Sequence, residues 1–190
     1  MADLMDYAAR LAGEAGERGL PPVEQWNPAY CGEIDLVIRR DGTWVHEGIP
    51  IGRARLVRLF STILRMEGDR HYLVTPAEKL GVTVEDAPFL AVLMREESGP
   101  GGRRLVFTTN VGDEVAAGPD NAIVFRKSPA SGEKAPYIHV RSGLRALIAR
   151  PVFYDLVGLG ETREVEGEAL FGVRSGGAFF ALGPASEVYR

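Results

Sequence analysis

Short runs that alternate apolar and polar residues, each closed by a glycine-bearing turn, constrain this chain more than any other feature. In residues 33–47, Ile34, Leu36 and Ile38 alternate with Asp35, Val37 and Arg39, and Asp41-Gly42 then leads into Thr43-Trp-Val-His. Side chains in a strand point to opposite faces in turn, so this two-residue period marks a strand. Asp-Gly between two such runs predicts a type I′ hairpin, because both residues accept positive φ. Turn formers at residues 98–102 and 175–177 punctuate later runs in the same way.

The period changes at residues 52–66, where Leu56, Leu59, Phe60, Ile63 and Leu64 form the apolar stripe of an amphipathic helix. A strand over 71–74 completes a ββαβ first half, and residues 75–81 read as a turn-rich crossing point. Strands are expected at 82–84, 89–97, 104–109, 122–126 and 137–140. A second helix over 141–157 must be kinked or split, because Pro151 removes a donor and pushes Arg150 out of the α region. Residues 169–174 and 178–182 close the chain as a hairpin. This order of elements makes an α+β protein with antiparallel sheets, not a doubly wound parallel one. The expected organisation is an N-terminal arm or helix over 1–20 and two related sheet-plus-helix halves, 21–80 and 81–190.

Composition narrows the function classes. A net charge of −4 over 190 residues argues against a general nucleic-acid or membrane binder, which would carry a basic excess. The single Cys31 excludes an internal disulfide framework, fits a reducing compartment, and is expected to be a buried, inert thiol. Residues 1–18 carry Asp3, Asp6, Glu14 and Glu17 among short apolar residues, which is neither a leader nor a spanning segment. The expectation is a cytoplasmic protein.

The sequence carries no catalytic signature. It has no Walker-type phosphate loop, and Gly158-Leu-Gly160 sits in the wrong context for a dinucleotide fingerprint. There is no Gly-x-Ser-x-Gly elbow, and His46, His71 and His139 stand singly on strand runs without metal-ligand spacing. Trp26 and Tyr30 are expected to plug one end of the core.

Two arginines provide the best functional clue. Arg53 leads Arg-x-x-Leu56-x-x-Leu59-Phe60, and Arg141 leads Arg-x-x-Leu144-x-x-Leu147-Ile148, each after a strand run. Both are expected to open a helix on its apolar side, where a guanidinium needs an anionic partner. Candidate partners are Asp35, Glu78, Glu85 and Asp86 at the junction of the halves. Connecting segments supply further polar groups: Thr75-Pro-x-Glu78-Lys79, Glu85-Asp86 beside Pro88, and Thr109-Asn110 at a strand end. In a binding protein, Arg53 and Arg141 would meet the anion bidentately and Thr75, Thr109 and Asn110 would orient it. Glu78, Glu85 and Asp86 would hold the arginines in the empty site. In an enzyme, Glu78, Asp86 and Lys79 would be the acid–base groups. An interaction scaffold would instead expose an apolar patch. No metal ligands or catalytic residues are assigned, and the sequence specifies no cofactor.

The segments Pro21-Pro-Val-Glu-x-Trp26-Asn-Pro-x-x-Cys31-Gly-x-Ile-Asp35, Asp41-Gly-x-Trp44, Pro50-Ile-x-Arg53 and Leu56-Val-x-Leu-Phe-Ser61 form an ordered series. Leu73-Val-Thr-Pro-x-Glu-Lys79, Val84-Glu-Asp-Ala-Pro-Phe89 and Phe107-Thr-x-Asn110 continue it. The series resembles the bacterial family catalogued as domain of unknown function 1285, over nearly the whole chain after the arm. Ala77 departs from the bulkier apolar residue expected between Pro76 and Glu78, and leaves the polar positions untouched. The resemblance implies two related α+β halves, the second loosely like pleckstrin-homology folds. It also implies a cleft between the halves for a nucleotide-like ligand, whose anionic character the two arginines indicate, and a role in signal transduction, with which a protein partner is compatible. No enzymatic activity comes with it.

Overall fold

A computed structural model describes residues 20–99 and 102–188. The expected N-terminal arm lies, except for Leu20, outside the described residues. The chain divides into two units, the first ending at Glu85 and the second beginning at Asp86.

The first unit holds a short 3₁₀ turn (Val23–Gln25), strands β1 (Tyr30–Ile38), β2 (Trp44–His46) and β3 (Ile49–Pro50), and helix α1 (Ala54–Thr62). Strands β4 (Leu64–Glu67), β5 (Arg70–Val74) and β6 (Lys79–Val84) complete it. The six strands form one sheet in the order β3-β2-β1-β6-β5-β4. All neighbours run antiparallel except the central pair, β1 and β6. Leu36, Ile38, Trp44, Phe60, Ile63, Leu64 and Leu73 are buried almost completely and form the core.

The second unit contains β7 (Phe89–Gly99), β8 (Gly102–Thr109), β9 (Glu114–Ala116), β10 (Ile123–Lys127), β11 (Lys134–Arg141) and β12 (Leu144–Ile148). Their order is β10-β11-β12-β7-β8-β9, again with one parallel pair, β12 and β7, at the centre. Helix α2 (Arg150–Gly158) packs on β7. A three-stranded sheet of β13 (Glu161–Val165), β14 (Glu168–Ser175) and β15 (Ala178–Pro184) follows, then a last turn α3 (Ala185–Val188). This sheet is fastened to β8 by the buried Ser175, whose hydroxyl accepts from Leu105 N (2.8 Å) and donates to Ala117 O (2.7 Å).

The two six-stranded sheets share one plan. Each consists of two three-stranded meanders, and the first strand of the first lies parallel to the last strand of the second. The halves are therefore related, but through strand order and not through arginine-led helices. Helix α1 separates the meanders of the first sheet, whereas α2 follows the sixth strand of the second. Arg53 and Arg141 consequently occupy positions that are not equivalent.

Four local expectations are corrected. The hairpin at 39–43 is not a two-residue type I′ turn. Gly42 N donates to Arg39 O (2.9 Å), Arg39 N donates to Thr43 O (2.9 Å), and of the central residues only Gly42 has positive φ. That is a type I turn followed by a glycine bulge, favoured because Asp41 Oδ1 also accepts from Thr43 N (2.9 Å). Helix α1 stops at Thr62, because Gly68-Asp69 makes a two-residue turn that pairs 64–67 with β5 as a strand. Residues 144–148 are strand, not helix: Ser142 and Gly143 both take positive φ and close a hairpin between Arg141 and Leu144. Helix α2 then starts at Arg150, with Pro151 in its first turn, where a missing donor is tolerated. The segment 79–84, expected to be partly linker, is a strand of the first sheet.

Candidate functional site

In the second unit, Arg141 ends β11 beside the hairpin to β12. Its guanidinium lies 4.9 Å from the centroid of the Phe89 ring and pairs with the carboxylate of Asp113. The arginine side chain is 18% exposed and the aspartate 22%, so the pair is mostly withdrawn from water yet accessible. Phe89 is 1% exposed and offers the guanidinium a fixed apolar floor.

The β8–β9 turn carries Asp113. Thr109 N donates to Asp113 O (2.9 Å), Asp113 N donates to Thr109 Oγ1 (3.0 Å), and Gly112 provides a positive φ within the loop. Asn110 ties this loop to β7: its side-chain oxygen accepts from Leu90 N (2.9 Å) and its backbone N donates to Leu90 O (2.8 Å). Thr109 and Asn110 therefore build the frame that aims Asp113 at Arg141. Asp113 has no signal in the sequence beyond its place in a Gly-Asp-Glu turn.

Asp86 accepts from Ser128 Oγ (2.6 Å) and Tyr137 OH (2.5 Å), anchoring the β10–β11 loop to the start of the unit. His139 is satisfied. Its Nε2 receives Gly143 N–H at 3.3 Å, which leaves Nδ1, 3.1 Å from Asp120 O, as the donor.

The other candidates belong to the first unit. Arg53 does not sit on the apolar side of a helix. It is the exposed residue preceding α1, and its carbonyl accepts from Leu56 N (2.9 Å) and Val57 N (3.2 Å). Among the described residues no carboxylate pairs with it. Asp35 stands exposed on β1. Thr75 is buried, and its hydroxyl accepts from Glu78 N (3.0 Å) and Ala77 N (3.3 Å), so Thr75 and Glu78 together shape the β5–β6 turn. Glu85 accepts from Arg40 N (3.0 Å) and buttresses the β1–β2 hairpin.

Lys79 belongs to a larger cluster that the sequence does not announce. Cross-strand registers place Arg65 opposite Tyr72, Tyr72 opposite Gly81 and Gly81 opposite Glu33, one row across four strands. Lys79 donates to Glu67 (2.9 Å) and lies 5.1 Å from the Tyr72 ring centroid. Arg70 lies 5.4 Å from the same centroid and pairs with Glu33. Hydrogen bonds from Lys79 and then Arg65 hold the Glu67 carboxyl below the usual range. Trp26 is half-buried, but Tyr30 does not plug the core. Tyr30 stands 48% exposed, edge-on to Tyr72 at 6.1 Å, and donates to Glu33. Cys31 is exposed as well, against the expectation of a buried thiol. The signal for this face is the two-residue spacing of Arg65 with Glu67 and of Arg70 with Tyr72, which the apolar stripe over 52–66 obscures.

On strand β5, burial pushes the His71 imidazole below its ordinary value. The folded state then resists a proton that the unfolded state accepts near pH 6.5. This contribution to stability is full above that value and declines as pH falls through it toward the lower folded pKa. Urea midpoints measured under progressively more acidic conditions should drop, and the drop should be smaller in His71→Gln.

Among the described residues no group of His, Cys, Asp and Glu could hold a metal ion, and no helix is long and apolar enough to cross a membrane. Two family models match: the N-terminal domain of the DUF1285 domain of unknown function over residues 21–87, and the C-terminal domain of the DUF1285 protein of unknown function over residues 88–182. A DUF1285 family protein from Silicibacter pomeroyi DSS-3 superposes with a TM-score of 0.86 at 47% identity, over 100% of both chains. Another, from Shewanella baltica OS155, gives a TM-score of 0.54 at 26% identity, over 66% of this chain and 91% of that one. No curated protein matches the chain. With both domain models matched in order along its length, the chain belongs to the DUF1285 family.

Proposed function

We propose that this chain is a regulatory protein that binds a small anionic, nucleotide-like ligand, and that Arg141 is the group that meets the anion. The observation that carries this reading is the placement of Arg141, a mostly buried guanidinium floored by Phe89 and paired with a loop carboxylate. Such a side chain has already lost most of its rotamer freedom, so little entropy remains to be lost when an anion engages it. Asp113 holds the arginine in the empty site. A ligand carboxylate or phosphate would replace or share Asp113 at the guanidinium.

Thr109 and Asn110 act through the loop, as positioning residues, since their side-chain oxygens accept from backbone donors. The reading does not use Arg53. Binding is preferred to catalysis because two of the three acid–base candidates, Asp86 and Lys79, are engaged in structural bonds.

A thermal-shift screen over nucleotides and phosphorylated metabolites should return a ligand that raises the melting temperature, since anything binding only the folded state stabilises it. Arg141→Ala should weaken that ligand by about 10- to 100-fold, the worth of a charge-assisted hydrogen bond at roughly 1.5–3 kcal/mol. Arg141→Lys should recover only part of the loss, lacking the planar fork. An unchanged affinity in folded Arg141→Ala would remove the residue from the site. A chemically altered ligand after incubation would make the protein an enzyme.

A further inference from the structure

We propose that the second unit carries a separate pocket for a compact multivalent oxyanion, between the β13–β15 sheet and the start of β8. The cavity measures about 410 Å³ and is lined by Arg103, Arg163 and Arg174, with Glu161 as the one carboxylate among the described lining residues. Glu96 stands 3.6 Å from Arg103 Nη1, and even with it counted the guanidiniums outnumber the carboxylates. That leaves a cationic excess, which an anionic guest neutralises.

Each arginine is placed differently. Arg103 is pinned by its own donors, Nε to Arg174 O (3.4 Å) and Nη2 to Leu159 O (3.3 Å). Arg174 pairs with Glu161. Arg163 lies 5.8 Å from the centroid of the Phe179 ring, and among the described residues no carboxylate pairs with it. Strand register explains the convergence. Glu161 and Arg163 share one face of β13, Gly172 stands opposite Glu161, and Arg174 follows Gly172 two residues on, on that same face. Gly172 is required there, since a Cβ would strike the Phe180 carbonyl and the Phe179 ring.

The remaining lining sets the ligand class. Gly102, Gly160 and Gly177 bring bare backbone to the wall, and among the described residues no aromatic side chain lines the cavity. A nucleobase would find no aromatic surface to stack on. Charge is what the pocket can recognise, so the guest is a small oxyanion with two or more negative charges, of phosphate or carboxylate chemistry. This pocket does not depend on the Arg141 reading, as no residue is shared.

The test is calorimetric titration of the full chain with inorganic pyrophosphate, and in a second arm with citrate, which distinguishes the phosphate source from the carboxylate one. At least one should bind, and Arg163→Gln, at an exposed position with no ion pair to lose among the described residues, should weaken it about tenfold or more. Glu161→Gln removes the competing carboxylate and should tighten it. The surface control Arg39→Gln, in the first unit, should leave the affinity unchanged. The proposal is overturned if neither anion binds, if Arg163→Gln binds as wild type does, or if Arg39→Gln loses as much as Arg163→Gln.

Discussion

Arg65→Ala should destabilise the first unit by about 3–5 kcal/mol, as expected when a buried guanidinium gives up two charge-assisted hydrogen bonds of roughly 1.5–3 kcal/mol each. The Arg65 side chain is 7% exposed, and one nitrogen, Nη1, donates to Val23 O (2.8 Å) and Trp26 O (2.6 Å). Its Nη2 pairs with Glu67. The substitution takes a charged donor from two carbonyls, leaves Glu67 with Lys79, and cuts the link from β4 to the segment before β1. The guanidinium is not perfectly matched, since Nε is buried with no partner among the described residues, which lowers the net worth of the wild-type network. Arg65→Met, which keeps much of the stem, should recover part of the loss. Trp26 and Trp44 are the chain's two tryptophans and both belong to the first unit, so tryptophan fluorescence during urea unfolding reads this change locally. A wild-type midpoint in Arg65→Ala would mean that the network contributes no net stability.

Phe89→Ala should cost the second unit a similar ~3–5 kcal/mol, the range for deleting a buried aromatic side chain. Phe89 is 1% exposed, opens β7, and sits opposite Ala146 in the central parallel pair, where the small partner cannot fill the void. Removing the ring also takes the floor from beneath Arg141. Phe89→Leu separates the two effects. It restores much of the apolar volume and should cost less, about 1.5 kcal/mol, as hydrophobic swaps of similar size do, yet it offers no π face to the guanidinium. Far-UV circular dichroism during unfolding would show the stability difference. If ligand affinity in Phe89→Leu equals wild type, the ring serves the core alone.

Much of the fold is legible in the sequence because its turns are written in glycine. Ser175-Gly-Gly177 specifies the β14–β15 hairpin, with Gly176 and Gly177 both at positive φ. Ambiguity arises where a strand is buried on both faces. Leu144-Arg-Ala-Leu-Ile148 lies between β11 and β7, so its apolar positions do not alternate cleanly and fit a helical stripe as well. Leu64-Arg65 hides in the same way, because a strand that buries both residues extends the apolar stripe of the preceding helix. The candidate site is legible only in part. Arg141 is marked in the sequence by its place beside an apolar run, but its partner Asp113 is set by the fold, through a loop closed on Thr109 and Asn110. Thr75, Glu85 and Asp86 look like ligand groups in sequence because turn-capping and ligand-binding draw on the same oxygens.

The most direct measurement is the affinity of Asp113→Asn for the ligand that the thermal screen returns. Asparagine keeps the size of the side chain and the backbone bonds to Thr109, but it withdraws the negative charge that competes for Arg141. If Arg141 receives an anion, the variant should bind about tenfold more tightly, as expected when a competing charge-assisted bond of roughly 1.5 kcal/mol is lost from the empty state. If Arg141 and Asp113 serve only to join β11 to the β8–β9 loop, folded Asp113→Asn will bind with unchanged or weaker affinity, and the proposed site is wrong.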